Sequence, residues 1–217
     1  MTIARRGVTR CGNRTRLTDC FSQFITVSPR ETGAGRGMVA VDKEDLLLWQ
    51  GSRELLVSLH DRMAGDHGRQ WSELLERYSS LKVRMATLIA DVEAAGICGA
   101  CGGLCCMNGK YRFNALDALC GVAVNVSPTV DFCQSPLCPY GTDAGCSLSA
   151  PLRPADCILF ICDAIDQKLS IPSRSELVRL EQQVRECLRE ASSVAGELLG
   201  TPLLLWGEKK LVSKSSE

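Results

Sequence analysis

The chain has 217 residues, and its 25 lysines and arginines balance 25 aspartates and glutamates, so its formal net charge is zero. This balance excludes a global basic field for nucleic acid or an anionic membrane surface, and an aromatic content of 5% argues against a stacking platform for single strands. Because no apolar run reaches the roughly 20 residues that cross a bilayer, we expect neither nucleic acid nor a membrane as partner.

The first 37 residues are rich in arginine and lack hydrophobic periodicity. An arginine-rich, acid-poor start is typical of an organelle transit peptide; the alternative that we favour is a mis-assigned start, with translation beginning at Met38. In both cases we expect residues 1–37 to form a disordered N-terminal extension. Cys11 and Cys20 lie in this segment and are not expected to bind metal.

Residues 38–96 are predicted to form a helical hairpin of two helices, over about 43–64 and 66–95, separated by a glycine-containing break. His60 and His67 flank the break; they are either metal ligands or, as we favour, surface histidines near a helix end. The second helix has apolar side chains at alternating spacings of four and three, which places them on one face. These residues are Leu74, Tyr78, Leu81, Met85, Leu88 and Val92.

Residues 97–170 contain most of the cysteines and form a predicted metal-binding region. Residues 97–152 show neither helical nor strand periodicity, and only short strands or turns are expected, at 111–113 and 121–126. Such an irregular segment is expected to bury too little apolar surface to offset its ordering entropy, so a bound centre would stabilise it. Cysteines that are this closely spaced in the sequence either form disulfides or bind a soft metal. With no apolar export segment we expect a reducing, cytoplasmic compartment, which favours the metal.

A helix is predicted to begin at Pro154, a residue suited to the first helical position, and to run to about Lys168. Cys157 would lie in the first turn, where unpaired backbone N–H groups favour a thiolate. Cys162 would lie about 140° further round a regular helix, so both thiols could not easily face one metal. The sequence therefore leaves Cys162 as either a possible metal ligand or a buried core thiol.

Residues 171–202 are predicted to form a C-terminal helix that packs on the hairpin. A capping box at Ser173 and Glu176 marks its start, and a stripe at spacings of three and four buries Cys187 as a small hydrophobe. The following residues, 203–217, end in a polar run and are predicted to be a frayed tail. The predicted fold class is thus mainly α: an antiparallel helical scaffold of three long helices with an irregular cysteine-rich metal-binding lobe.

The order of the cysteines resembles a known family. Cys98-x-x-Cys101 is followed by Cys105-Cys106, and further on come Cys138-Pro, Gly145-Cys146 and Arg153-Pro-x-x-Cys157. These matches, over roughly residues 97–163, are similar to the YkgJ-type cysteine-cluster family, which is described as zinc- or iron-chelating. One departure is that three residues rather than two separate Cys101 from the double cysteine.

The resemblance implies a set of thiolate metal ligands and no particular reaction. The ligands it implies are Cys98, Cys101, Cys105, Cys106, Cys138, Cys146 and Cys157. Arg153 is expected to hydrogen-bond the thiolates and offset their charge, or else to be a surface arginine before a helix. Cys120 and Cys133 match nothing in the family pattern and are expected to be structural thiols.

The function expected from these observations is a cytoplasmic protein that binds an iron–sulfur cluster or zinc, for metal handling or as the partner of an enzyme. The sequence leaves open whether the protein is itself an enzyme, and a role without catalysis is favoured. All candidate ligands are thiols, there is a single Cys-x-x-Cys pair, and there are more than four thiols, which together favour an iron–sulfur cluster over zinc. The alternatives are a cluster-containing enzyme resembling protein-lysine methylases and a thiol-redox protein.

Overall fold

The structure is a computed structural model that describes residues 43–100, 104–107, 109–134, 137–142 and 145–214. The predicted N-terminal extension over 1–37 and the predicted ligand Cys101 lie outside these residues. The described part of the chain is mostly helical, with one small two-stranded sheet, which confirms the predicted fold class. None of its helices is both long enough and apolar enough to span a bilayer.

The α-helices of the described part are α1 Lys43–Ala90, α2 Ala94–Ala100, α3 Ala115–Ala123, α4 Ala155–Leu159, α5 Asp163–Asp166, α6 Ile171–Ala195 and α7 Leu203–Lys214. Short 3₁₀ turns lie at Leu104–Cys106, Gly109–Tyr111 and Phe132–Gln134. Strands β1 Gly141–Thr142 and β2 Gly145–Cys146 pair antiparallel, with Gly141 opposite Cys146.

Helix α1 is bent back on itself at Gly68, whose backbone (φ 39°, ψ −107°) is not helical. Glycine adopts a positive φ without the penalty that a Cβ brings. Across the bend the indole Nε1 of Trp71 donates a hydrogen bond to Nδ1 of His60 at 3.1 Å. In a straight helix these residues would be about 16 Å apart. The bend therefore divides α1 into a first limb, 43–67, and a second limb, 69–90, and the predicted break is confirmed.

The second limb ends at Ala90, five residues before the predicted end at 95. The chain leaves the helix through a turn in which Glu93 has a φ of 57°, so the left-handed residue that ends the helix is Glu93 and not Gly96. Helix α2 then begins at Ala94. As a consequence, Cys98 lies on a separate short helix and not on a loop that extends from a long one.

The first limb packs on α7, which makes the predicted frayed tail wrong over residues 203–214. Leu203, Leu204 and Trp206 of α7 are buried. At Gly207 the two helices lie so close that a Cβ would overlap the side chain of Ser52, so only glycine fits there. The prediction failed because the apolar turn that begins α7 is too short to show a helical period before the polar residues follow.

Helix α6 packs on α1, and Cys187 is fully buried between them, with its Sγ 3.4 Å from the carbonyl oxygen of Leu74. The predicted packing of the C-terminal helix and the burial of Cys187 are both confirmed. The helix begins earlier than predicted, because Ser170 and not Ser173 is the N-cap: its hydroxyl accepts the N–H of Ser173. It ends at Gly196, whose φ of 65° is typical of a helix C-cap.

Helix α3 occupies part of the segment that was expected to be irregular. Asn114 caps it through a reciprocal capping box with Asp117, and the residues from Ala115 to Val122 are all buried. Residues 121–123 are helical and do not form a strand, whereas a turn is present at 124–125, as predicted. The helix also buries apolar side chains that an irregular segment was not expected to bury. This run has nine residues and is almost entirely apolar, and periodicity alone does not distinguish a short apolar helix from a buried strand.

The hydrogen bond at the bend of α1 predicts a pH-dependent stability. Burial lowers the pKa of His60 below 6.5, and Asp61 opposes this shift only in part. Because of this lowered pKa, the unfolded chain binds a proton more readily than the native chain. The contribution of neutral His60 to the free energy of unfolding is therefore complete above about pH 6.5 and declines as the pH falls further. Urea unfolding between pH 7.5 and 5 should show a steeper loss of stability in the wild type than in His60→Gln.

His67→Gln is the matched control, because His67 is exposed beside the same bend. This variant should keep the wild-type pH dependence. Equal slopes for the wild type and His60→Gln would show that the bend does not depend on a neutral His60.

Candidate functional site: a cluster of thiols

The cysteine-rich region is attached to the helical scaffold by buried aromatic contacts. The indole Nε1 of Trp49 on the first limb donates to the hydroxyl of Tyr140 at 3.1 Å, and this bond is buried. The ring of Tyr140 lies 5.0 Å from that of Phe113, and Lys110 forms an ion pair with Asp45. The cysteine-rich region is therefore packed against the first limb of α1.

Thiols from four parts of the sequence lie within electrostatic range of one another next to Tyr140. The thiol of Cys106 interacts electrostatically with those of Cys105, Cys138 and Cys146. Cys157 in turn interacts with both Cys138 and Cys146. We call these five residues the thiol cluster. All of them are predicted ligands, so the structure brings together most of the predicted set.

The β1–β2 hairpin and a glycine position Cys138 and Cys146. The hairpin is closed by the hydroxyl of Thr142, which donates to the carbonyl of Gly145 at 2.8 Å, and it places Cys146 opposite Gly141. Cys138 lies against the backbone of Gly109: a Cβ at Gly109 would be 2.6 Å from the Cβ and 2.8 Å from the Sγ of Cys138. Only a residue without a side chain allows this contact.

Gly109→Ala is therefore expected to displace Cys138 from the thiol cluster while leaving the helical scaffold folded. We expect zinc affinity, measured by competition with a chromogenic chelator, to fall by at least about tenfold, the lower end of the effect of altering groups around a metal site. Gly65→Ala is the matched control, because a Cβ there meets nothing within 4 Å. An unchanged zinc affinity in Gly109→Ala would show that the position of Cys138 does not matter.

Two other predicted ligands, Cys98 and Cys162, lie on short helices near the thiol cluster, and Cys101 lies outside the residues that the structure describes. Helix α2, which includes Cys98, contacts both β2 and α5. Cys162 is the N-cap residue of α5, because the predicted helix from Pro154 to about Lys168 is interrupted after Leu159. The angular argument against Cys162, which assumed a regular helix, therefore does not hold. Its half-buried thiol remains a possible ligand, and its role stays a prediction.

Two cysteines that match nothing in the family pattern lie elsewhere. Cys120 is buried in α3, with its Sγ 3.8 Å from the carbonyl oxygen of Leu75, whereas Cys133 is exposed.

The surroundings of Cys106, Cys138 and Cys157 raise the pKa of each of these three thiols and so favour the protonated form. Burial, reinforced by the neighbouring Cys105, raises the pKa of Cys106 to about 12. Burial likewise raises the pKa of Cys157 to about 12, although Arg112 opposes the shift. The expectation that the start of a helix favours a Cys157 thiolate is therefore not met, because desolvation of this half-buried thiol has the larger effect.

An arginine does lie beside the thiols, but it is Arg112 and not the predicted Arg153. The guanidinium of Arg112 interacts electrostatically with the thiols of Cys157 and Cys138. Arg153 donates instead to the carbonyl oxygen of Leu148 at 3.4 Å, and its buried Nε has no hydrogen-bond partner in the described part of the chain. No sequence pattern around Arg112 distinguishes it, so sequence reasoning missed it.

Sequence reasoning also missed a buried charge pair in the scaffold. The ammonium of Lys82 on the second limb lies 2.5 Å from Oδ1 of Asp117 on α3, and both side chains are fully buried. The hydroxyl of Tyr78 donates to the same oxygen at 3.2 Å. Lys82 follows Tyr78 by four residues on the apolar face of the helix, a spacing that indicates burial of the lysine but does not identify its partner.

In its chemistry the thiol cluster fits a soft metal, because thiolates are the ligands that zinc and iron–sulfur clusters prefer. Within the described ranges, however, no three Cys, His, Asp or Glu side chains are arranged as ligands of one ion. Metal binding would therefore require the clustered thiols to move closer together, with or without Cys101.

Profiles of known protein families, curated proteins and solved structures were compared with this chain, and none of them matches it.

Proposed function

We propose that this protein binds a soft-metal centre, an iron–sulfur cluster or a zinc ion, through cysteine thiolates. The observation that carries the proposal is the convergence of Cys105, Cys106, Cys138, Cys146 and Cys157. These residues come from separate parts of the sequence, and the packing of a helical core does not require five thiols to lie near one another. The resemblance to the YkgJ-type family supports the same binding chemistry.

The protonation of the apo thiols supports binding of a metal over catalysis by a free thiol. At neutral pH a thiol with a pKa of about 12, as for Cys106 and Cys157, is almost entirely protonated. A metal ion displaces such protons, so binding releases protons and tightens as the pH rises. We propose that the protein works in a reducing compartment such as the cytoplasm, in metal handling or as the partner of an enzyme.

A thiol-redox protein is the second candidate, and the electrostatic interaction between the adjacent thiols of Cys105 and Cys106 favours it. Thiol–disulfide exchange needs a nucleophilic thiolate, however, and the raised pKa of Cys106 leaves little of it at neutral pH. The alternative of an enzyme resembling protein-lysine methylases rests on the cysteine arrangement alone.

The proposal is tested by the metal content of protein purified without oxygen. We expect either stoichiometric zinc or, with a broad visible absorption, iron and acid-labile sulfide. Reconstitution of the apo protein with iron and sulfide, and separately with zinc, distinguishes the two centres. Protein that binds neither after both treatments, while cycling reversibly between thiol and disulfide forms, would replace the metal proposal with the redox one.

A further inference from the structure

The hydrogen bond that closes the bend of α1 fixes the charge of His60. The indole Nε1 of Trp71 can only donate, so Nδ1 of His60, which lies 3.1 Å away, must accept. A histidine accepts through Nδ1 only when it is neutral and carries its proton on Nε2. Protonation turns Nδ1 into a second donor opposite the indole. The bend is therefore closed by a contact that only the neutral form of His60 can make.

Burial makes the loss of this contact costly while the bend stays closed. Trp71 is fully buried, so an indole N–H that has lost its acceptor is held away from water. A buried donor without a partner is unfavourable, and opening the bend would hydrate it. His60 is half-buried, and burial lowers its pKa by more than Asp61 raises it. The closed bend therefore disfavours a proton on His60.

Asp61 is the charged neighbour that acts on His60, and its carboxylate favours the protonated form. The other charged or titratable side chains from His60 to the second turn of the second limb are exposed; they are Arg62, Asp66, His67, Arg69 and Glu73. His60 and His67 are the two histidines of the chain, and histidine is the side chain whose ordinary pKa lies between pH 5 and 8. The exposed His67 is therefore an internal control for His60.

The helices that pack on α1 carry paired or uncharged groups where they face it. Glu190 of α6 pairs with Arg77 of the second limb, and Glu197 of α6 pairs with Lys210 of α7. The thiol of Cys187 lies against the second limb, and burial raises its pKa, so it carries no charge at or below neutral pH.

We propose that the hydrogen bond between Trp71 and His60 is a proton-operated latch: acidification protonates His60, breaks the bond and opens the bend of α1 locally. Gly68 lies at the bend, and residues 64–70 are all exposed, so few packing contacts oppose an opening there. The open state exposes the indole of Trp71. The cysteine-rich region is attached through Trp49, three turns before His60, and stays in place. The latch does not depend on metal binding.

The three indole N–H signals in a ¹⁵N–¹H NMR spectrum of the full chain test the latch. Trp49 donates to Tyr140, Trp71 donates to His60, and Nε1 of Trp206 has no partner among the described residues. Between pH 7.5 and 5 the Trp71 signal should shift. Its solvent exchange, corrected for the intrinsic pH dependence, should accelerate by up to about tenfold per pH unit, because one proton is linked to opening. The Trp49 signal should keep its position and protection, and Trp71→Phe identifies the signal that responds.

Three variants separate the proton from the contact. A glutamine amide can accept the indole N–H and does not titrate, so His60→Gln should lose the pH response of the Trp71 signal. His67→Gln, beside the same bend, should respond as the wild type does. Asp61→Asn removes the carboxylate that favours the proton, so its latch should open at a lower pH than that of the wild type.

Two results would overturn the latch. One is a Trp71 signal that keeps its position and protection down to pH 5 in the wild type, or that responds equally in the wild type and His60→Gln. The other is a parallel loss of protection at Trp49 and Trp71, which would show that acidification unfolds the whole scaffold and does not open the bend alone.

Discussion

Lys82→Met is expected to lower the free energy of unfolding by about 3–5 kcal/mol, a large share of the roughly 5–15 kcal/mol that stabilises a typical domain. The variant leaves the Asp117 carboxylate in the core without the ammonium that lies 2.5 Å from it. The hydroxyl of Tyr78 and the N–H of Asn114 remain as donors, but neither carries a charge. An uncompensated buried charge is among the few single-residue changes with so large an effect.

The loss of stability in Lys82→Met should be larger at high pH than at low pH. Burial raises the pKa of Asp117, and Lys82 opposes this shift, so removing Lys82 raises the pKa further. A carboxyl whose folded-state pKa lies above its unfolded value of about 3.9 destabilises the protein increasingly as the pH rises towards the folded value. Lys82→Met should therefore lie closer to the wild type at pH 5 than at pH 8 when both are unfolded in urea.

A second substitution tests the mechanism. Lys82→Met combined with Asp117→Asn removes both charges and keeps an acceptor for the N–H of Asn114, so it should recover much of the lost stability. Arg185→Met breaks the exposed pair with Glu181 and should change stability by less than about 0.5 kcal/mol. A loss in Lys82→Met as small as that in Arg185→Met would contradict the assignment of a tightly coupled buried pair.

Cys106→Ser and Cys157→Ser are each expected to lower zinc affinity by more than about 100-fold, beyond the effect of altering a group that only supports a ligand. A serine hydroxyl is a poor ligand for soft metals at neutral pH. The double replacement leaves Cys105, Cys138 and Cys146 of the thiol cluster, one fewer than the four ligands of a closed structural site, so it should weaken zinc binding further than either single replacement. Iron and sulfide content after reconstitution gives the same comparison for a cluster.

Two other cysteines provide controls for loss of a thiol. Cys133 is exposed, so Cys133→Ser should keep the metal content and the stability of the wild type. Cys187→Ala should lower stability by about 1–2 kcal/mol, because the thiol is fully buried against α1, and should leave metal stoichiometry unchanged. Metal loss in either control, or normal binding by Cys106→Ser/Cys157→Ser, would show that the thiol cluster is not the binding site.

The long helices could be predicted from the sequence because their signals are local. The two limbs of α1 and helix α6 each carry apolar residues at helical spacing, and Gly68 interrupts the pattern where the chain turns back. Cys187 lies on the apolar stripe of α6, so its burial followed directly. The boundaries were less well predicted, since the N-cap at Ser170 competes with an equally plausible sequence signal at Ser173.

The residue types of the candidate site could also be predicted, since cysteines with short spacings indicate thiolate chemistry whatever the fold. Which thiols lie near one another depends on the tertiary structure. The β1–β2 hairpin and the close contact between Gly109 and Cys138 place Cys138 and Cys146 near the adjacent residues Cys105 and Cys106. The choice between Arg112 and Arg153 depends on the same geometry.

Lys82 and Asp117 are 35 residues apart, and nothing in the sequence near either residue identifies the other as its partner. Helices α3 and α7 were not predicted, because their apolar residues are buried by neighbours from distant parts of the chain. A local pattern reports only the preferences of its own segment, whereas burial, and with it the pairing of charges and thiols, depends on contacts that only the folded chain creates.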